Sequence, residues 1–512
     1  MALPNITINK SQGGLGRPLA GFDYVSGMVF YSSTLPSGFT TTYNKKAILS
    51  VNDAENLGIL SDYSDETAAT AEYEITDLGA TGDTGKFVIT EPTIQTGITR
   101  TVDLGTYTVS SADTTIDLQG AAWVAVINAG TVTHGYSAAY DTGTDTITIT
   151  ARTGMGISLN SGTPVAVTVT GDLDGTLTQF SGGVASKLAL WHYHISEYFR
   201  IQPQGKVWVG FYPVPSSYTF VEMNDLQTFA QGEIRQILVY NDVARTAANI
   251  LSDCTALQAA QNIQEALKMP YEVLYAAGAS YNISGLLNLS TLTAYKVSVI
   301  ISQDAGGQGA WLFLTTGKGI TTGGACLGAV SLAKVSESIA WVERFNISNG
   351  VECDTIGFVT GQSWVAQSEN TLNQLNSYRY IFLRKLVGAS GSYFNDTHTA
   401  VSVSSDYAYI ENNRTIDKVA RLSYSALLPQ LNAPLTLNAD GTLTNTTIAA
   451  FSGLLITAIN DMVRNSELSA FLVTIDPTQN VLATSTIVIR VQLVINGVAR
   501  NIIVNIGFST SI

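Results

Sequence analysis

The amino-acid sequence predicts a multidomain chain of mixed α/β and α+β class: a central α/β sheet layer, a C-terminal α+β domain ended by a terminal β-hairpin, and an inserted all-β domain. Three observations lead there. Residues 67–183 are dominated by Thr, Gly, Asp, Ser and Val in short alternating runs, whereas 184–377 alternate apolar strands with helical stretches. Near the end, Asn496-Gly497 sits between two long β-branched runs. At 512 residues the chain also exceeds the roughly 250–300 at which a single hydrophobic core stops growing, so several domains are expected.

The first stretch opens with an alternating segment, Asn5, Ile6, Thr7, Ile8 and Asn9, followed by Gly13, Gly14 and Gly16. A few residues of strand ahead of a glycine hinge cannot bury themselves and would fray unless a sheet accepts them. This predicts an extended arm over 1–20, with a neighbouring subunit as one source of that sheet. Residues 21–66 then read as a first part of the core, with an apolar strand at 24–31.

Within 67–183, the runs at 86–90, 106–110, 146–151 and 165–170 alternate between Thr or Ser and β-branched or aromatic residues, and turn dipeptides separate them. Strands of that length at that spacing read as a small sandwich or barrel, interrupted by one helix-like patch at 119–128. From 184 to 377, near-continuous apolar strands at 206–212, 236–240, 272–275, 296–301, 339–342 and 356–359 indicate a sheet buried on both faces. Helices are expected at 247–268, stopped by Pro270, and at 321–335.

The last third, 378–512, begins with a strand at 380–386 and a Gly/Ser turn. Helices follow at 410–427, ended before Pro429, and at 446–464, with Ile448, Phe451, Leu455, Ile459 and Met462 on one face. The expected closing hairpin pairs 487–495 with 498–508 around Asn496 and Gly497, because Asn-Gly between β-branched runs is the strongest short hairpin signal.

Composition excludes several functions. With 26 Lys+Arg against 40 Asp+Glu, a formal charge of −14 and no basic run, the surface would repel a phosphate backbone, and nucleic acid is not an expected partner. No basic start with an apolar core region opens the chain, and no uninterrupted apolar run of about 18–20 residues occurs. Synthesis and folding in a reducing cytoplasm, without membrane insertion, are therefore expected. Only 13% of residues are charged, half the roughly 25% of an ordinary soluble domain. Such a surface is the mark of a subunit covered by its neighbours in a large assembly.

The search for chemistry finds no catalytic constellation, and no cofactor is expected. Gly388-Ala389-Ser390-Gly391-Ser392 lacks the final glycine of a nucleophile elbow, and Gly317-Lys318-Gly319 lacks the spacing and hydroxyl residue of a phosphate loop. His192 and His194 would share a face on a strand but lie about 200° apart on a helix, and no third metal ligand accompanies them. Asp172-Leu173-Asp174-Gly175 begins like a calcium loop but lacks its distal Glu. Cys254, Cys326 and Cys353 are odd in number and read as small buried side chains.

The terminal segment is long, β-branched and nearly uncharged, with Arg490 and Arg500 its ionised side chains, so its edge invites pairing with another molecule. Here the residues acquire a likeness. The elements Tyr378-Arg379-Tyr380-Ile381-Phe382-Leu383, Tyr393-Phe394-Asn395-Asp396, the stretch from Ser405 through Tyr409, Glu411 and Arg414 to Lys418, Leu427-Leu428-Pro429 and the closing helix and strands resemble, in that order, the C-terminal part of contractile tail sheath proteins. These occur in bacteriophages and related contractile injection systems. The head of the chain, with Ile6-Thr7-Ile8 and its glycines, is similar to the extended arm of that family, and the α/β middle resembles it in general pattern.

The resemblance implies a structural, non-enzymatic subunit that polymerises with itself as helically stacked hexameric rings around an inner tail tube protein. Contraction from a metastable lattice would drive the tube through a target envelope, with baseplate and terminator or cap proteins as further partners. The particle would be a virion tail or a contractile injection particle. It further implies inter-subunit β-augmentation. The donor arm would be Asn5, Ile6, Thr7, Ile8 and Asn9 on the hinge Gly13, Gly14 and Gly16. The acceptor hairpin would be built around Ile487, Val488, Ile489, Val491, Leu493, Asn496 and Gly497, and the C-terminal arm would carry Ile502, Ile503, Val504, Ile506 and Phe508. Asp461, Arg464 and Glu467 are the tube-facing candidates, although their helix also reads as an ordinary amphipathic core helix. The 67–183 insert would face outward. Two other readings stand beside this one: a different phage or surface-layer structural protein such as a capsid or tube component, and, with less in its favour, an α/β hydrolase with an accessory β domain.

Overall fold

The computed structural model describes residues 23–95, 98–279 and 282–508. The expected donor arm, Asn5 to Asn9, and its hinge glycines Gly13, Gly14 and Gly16 lie outside the described residues. The centre is a seven-stranded sheet in the order Tyr380–Ile381, Val297–Ile300, Glu272–Ala279, Gln236–Arg245, Val25–Tyr31, Lys206–Tyr212, Lys45–Ile48. Every neighbouring pair is parallel except the edge strand Lys45–Ile48, which runs antiparallel to Lys206–Tyr212.

Alternate residues of the central strands feed two cores. Met28, Phe30, Leu238 and Tyr240 pack under helices Leu188–Ile201 and Gly323–Leu332 on one face. Val25, Val29, Ile237 and Val239 pack under helices Glu222–Phe229 and Ala247–Ala266 on the other. Helices on both faces explain why the strands read as continuous apolar runs. The pair Leu188–Ile201 and Gly323–Leu332 meets so closely that a Cβ on Gly324 would lie 2.1 Å from the His194 carbonyl oxygen. A cluster of glycines thus lets one helix lie on the backbone of the other. The expected strand at 339–342 is instead a turn region in which the Phe345 N–H donates to the Trp341 carbonyl at 2.9 Å.

The insert consists of a four-stranded sheet, Ser137–Asp141, Thr146–Thr150, Thr70–Asp77, Asp174–Ser181, and a three-stranded sheet, Thr99–Thr108, Thr84–Pro92, Val165–Val169. It is not all-β. Helix Ile116–Ala129, capped by the Thr115 hydroxyl, carries the fully buried Trp123, whose ring stacks on Phe87 at 4.6 Å and on Tyr107 at 5.7 Å. Two short sheets do not close a core around such a ring, and the helix supplies the missing layer. The insert leaves and rejoins the core through one antiparallel bridge: the Thr67 N–H donates to the Val184 carbonyl at 3.1 Å, and the Val184 N–H to the Thr67 carbonyl at 2.9 Å.

The C-terminal end packs helices Ile410–Leu427 and Asn445–Arg464 against the two-stranded antiparallel sheet of Ala470–Ile475 and Ile489–Val494. Val419, Leu422, Ile459, Met462 and Leu468 form a small core with Phe471, Val491 and Leu493 at its border. The expected hairpin of 487–495 with 498–508 is not formed. Ile489–Val494 pairs with Ala470–Ile475 instead, and no strand is formed after Gly497 among the described residues. The alternation of Phe471, Val473 and Ile475 matches that of Ile489, Val491 and Leu493, so this register puts both half-buried sets on one face. The Asn496 amide, expected in a tight turn, is bound elsewhere, donating to the Ser466 carbonyl at 2.6 Å and to the Ser336 hydroxyl at 3.3 Å.

Candidate assembly interface

Helix Ile410–Leu427 holds five charged residues, Glu411, Arg414, Asp417, Lys418 and Arg421, at spacings that place most of them on its core-facing side. Unpaired, these would be costly to bury; each has a partner. Lys296 lies between two carboxylates, 2.9 Å from Glu272 and 2.7 Å from Asp417, and both Lys296 and Glu272 are 1% exposed. Burial and the nearby Asp417 hold the Glu272 carboxyl up at about 8 despite Lys296. On the next turn Lys418 bridges Asp23 at 2.7 Å and Glu467 at 2.8 Å, and Arg421 reaches Asp23 at 2.8 Å. Burial would raise Asp23, but Arg421 and Lys418 outweigh it and keep its carboxyl below the ordinary range. These links fasten the C-terminal end to the central sheet, to the loop before Val297–Ile300 and to the point where the described chain begins.

Against this fixed base, the sheet of Ala470–Ile475 and Ile489–Val494 presents its outer edges without a further strand among the described residues. One edge is held in shape by the Gln479 side chain, which accepts from the Val488 N–H at 2.7 Å and donates to the Val488 carbonyl at 2.9 Å. Of the residues expected in an acceptor hairpin, Val491 and Leu493 face the small core, Ile487 and Ile489 pack on a second cluster around Leu443, Ile475 and Val481, and Val488 is exposed. Gly497 lies after the last strand.

The segment after Arg500 is the most exposed apolar run described. Ile502, Ile503, Val504, Ile506 and Phe508 all lie at 71–112% exposure, and none is in a strand. Leu472 and Val494, on the outward face of the nearby sheet, are also exposed, at 58% and 59%. Isolated exposed apolar residues need no explanation, but a contiguous run of this kind marks an interaction site.

Of the tube-facing candidates, Asp461 and Arg464 are solvent-facing and pair with each other at 3.4 Å. Glu467 is not outward: it is 7% exposed and paired with Lys418. It follows a left-handed Ser466, and that turn swings its side chain under the helix. Asn445–Arg464 is, by length and composition, the one described helix apolar enough to cross a bilayer, yet Leu455, Ile459 and Met462 are buried against its neighbours and Ile456 is exposed.

The other sequence candidates separate. His192 and His194 share helix Leu188–Ile201; His192 meets Glu55 at 3.0 Å, whereas His194 is enclosed near Phe30 and Tyr240, and burial pulls it down to about 3. Among the described residues no group of three His, Cys, Asp or Glu is placed to hold a metal. Cys254, Cys326 and Cys353 are free and buried, and burial pushes their thiols up. Ser390 lies in strand Ala389–Phe394 and its carbonyl accepts from the Tyr393 hydroxyl at 2.6 Å. The buried ion pairs went unseen in the sequence; their one local sign was five charges in eighteen residues of a chain poor in charge.

Comparison with known proteins gives two kinds of match. Residues 3–398 match the family model for the DUF2586 N-terminal domain, and 406–512 that for the DUF2586 C-terminal domain. No curated protein matches the sequence. Among solved structures, the chain is similar to the anti-feeding prophage helical sheath in its contracted state, with 16% identity, 62% of this chain and 81% of that chain covered, and a TM-score of 0.43. It is similar to the sheath complex of an extracellular contractile injection system, PVC, in its contracted state, with 11% identity, 62% and 80% covered, and a TM-score of 0.41. A sheath tail protein from Desulfitobacterium hafniense is 11% identical over 96% of this chain and 100% of its own, with a TM-score of 0.36.

Proposed function

We propose that this chain, which belongs to the DUF2586 family across both of its domains, is the structural subunit of a contractile tail sheath. The observation that carries the reading is the exposed apolar arm, with Ile502, Ile503, Val504, Ile506 and Phe508, beside a two-stranded sheet with open edges. A subunit that offers both a strand and an edge makes a heterologous contact, which propagates instead of closing on a pair. That the arm lies in the very stretch of sequence that resembles sheath proteins supports the same reading.

In this proposal the subunits form hexameric rings stacked helically around a tail tube, joined to a baseplate and a terminal cap, and a metastable extended lattice contracts to push the tube through an envelope. The chain acts without catalysis or cofactor, assembles in the bacterial cytoplasm and ends in a virion tail or injection particle. Residues 1–20 supply a second arm, the sheet containing Ile489–Val494 accepts arms from neighbours, Asp461 and Arg464 face the tube, and the 67–183 insert faces outward. Backbone pairing survives rearrangement of side chains, so paired strands keep subunits joined while their bodies move.

Negative-stain electron microscopy of the purified chain over a concentration series, alone and with a candidate tube protein, tests this. Hollow cylinders with a helical stripe are expected, and deletion of residues 1–10 should leave folded subunits that form no stable cylinder. Monomers or closed shells under every condition would refute the sheath reading.

A further inference from the structure

Two separate segments of the C-terminal end, Asp396–Thr397 and Tyr409–Glu411, converge on Arg500. Its Nε donates to Asp396 at 3.0 Å to Oδ1 and 2.9 Å to Oδ2, and its Nη2 donates to Glu411 and, at 3.4 Å, to the Thr397 hydroxyl. The guanidinium carbon lies 3.5 Å from the centroid of the Tyr409 ring. Asp396 and Glu411 are 8% and 2% exposed, and the Arg500 side chain keeps 26% of its exposure. Two carboxylates and an aromatic face around one planar cation form a socket shaped for guanidinium, a fork a lysine ammonium does not match.

The socket is assembled independently of the arm. Asp396 follows strand Ala389–Phe394, and Glu411 is in the first turn of helix Ile410–Leu427. The two are tied together because the Thr397 hydroxyl donates to Glu411 at 2.5 Å and the Ile410 N–H donates to the Thr397 carbonyl at 3.0 Å. Upstream, Asn496 is fixed to Ser466, so 496–500 is held at both ends. Beyond Arg500 the apolar side chains are open to solvent and no hydrogen bond returns to the body among the described residues. Arg500 is therefore the last fixed point of the chain before the arm.

We infer that Arg500 is a positioning residue that sets the direction in which the C-terminal arm leaves the subunit, with Asp396, Glu411 and Tyr409 as its socket. This rests on the sheath reading for its purpose, though not for its geometry. An arm fixed at its root meets a neighbour's edge from a defined angle and loses less conformational freedom on pairing, so joints form at lower concentration.

The test uses the full chain with spin labels at Ser404→Cys on the body and Asn505→Cys on the arm; the three native thiols are buried. Below the polymerisation concentration, the distance distribution should be narrow with Arg500 and at least about twofold broader in Arg500→Ala, whose critical concentration should rise at least about tenfold. Methylguanidinium should restore the melting temperature of Arg500→Ala, by refilling the socket, and leave the distribution broad. An unchanged width, polymerisation at the ordinary concentration, or a width narrowed by methylguanidinium would each overturn the inference, the last by reducing Arg500 to charge neutralisation. If Arg500→Ala does not fold, Arg500→Lys keeps a cation without the fork and is expected to broaden the distribution, and an ordinary width there would likewise overturn it. The width is read on single subunits, so a chain that never polymerises would count against the sheath reading without touching this result.

Discussion

Replacing Ile506 by Ala separates assembly from folding. In the single subunit Ile506 is 92% exposed, so the change removes almost no buried surface and the melting temperature should stay where it is. In a paired arm, Ile502, Val504, Ile506 and Phe508 fall on one face of the strand and Asn501, Ile503 and Asn505 on the other. If that first face is buried against a neighbour, Ile506→Ala deletes three carbons at about 0.8 kcal/mol each, about 2.4 kcal/mol per joint. At about 1.4 kcal/mol per tenfold, the critical concentration for polymerisation should rise about fiftyfold. Sedimentation of polymer across a concentration series gives that number, with calorimetry of the unpolymerised subunit as the companion measurement and Asn505→Ala as the opposite-face control. A critical concentration within about threefold of the parent chain, or an equal response to Asn505→Ala, would refute the assignment of the arm.

Other perturbations probe the scaffold. Lys296→Met leaves Glu272 and Asp417 buried without their cation and should cost about 3–5 kcal/mol in urea unfolding followed at helix Ile410–Leu427; a loss under about 1 kcal/mol would contradict the ion-pair account. Burial, and then the neighbouring Asp304, push Glu352 up to about 7, so its contribution to stability is full below the ordinary carboxyl value near 4.5 and is lost as pH rises through about 7. Glu352→Gln should therefore flatten the decline of melting temperature between pH 4.5 and 8, and an unaltered slope would exclude this carboxyl as its source. Trp123→Ala should cost the insert about 3–5 kcal/mol, seen as hydrogen exchange accelerated within 70–181 and unchanged in strands Val25–Tyr31 and Gln236–Arg245.

The elements legible in the sequence were those whose signals are local. Strand Lys206–Tyr212 and helix Ile410–Leu427 have the bounds expected from apolar runs and from Pro429. Helix Leu188–Ile201 is not legible in the sequence, because Trp191, His192, Tyr193 and His194 fill successive positions with aromatic rings and conceal its periodicity. The closing hairpin expected around Asn496-Gly497 does not form although its two halves have equal β-branched content; what separates them is the distant strand Ala470–Ile475 and the Arg500 socket, neither visible from the turn. Glu467 was expected outward for the same reason, since its fate depends on Lys418 from another helix. At the candidate interface, the apolar character of 502–508 was readable, while the root that fixes its direction was not.

The bridge between Thr67 and Val184 has a bearing on how such a chain diversifies. A segment of more than a hundred residues reaches the core as two strands in register, the same boundary condition that a tight turn would impose. The insert also rests on helix Gln308–Thr316, where the Ile157 N–H donates to the Thr315 carbonyl at 2.9 Å and Arg152 lies over the Trp311 ring, so a replacement must cover that face of the helix. Thr67 and Val184 thus form a graft point at which an unrelated folded domain with adjacent termini could be inserted.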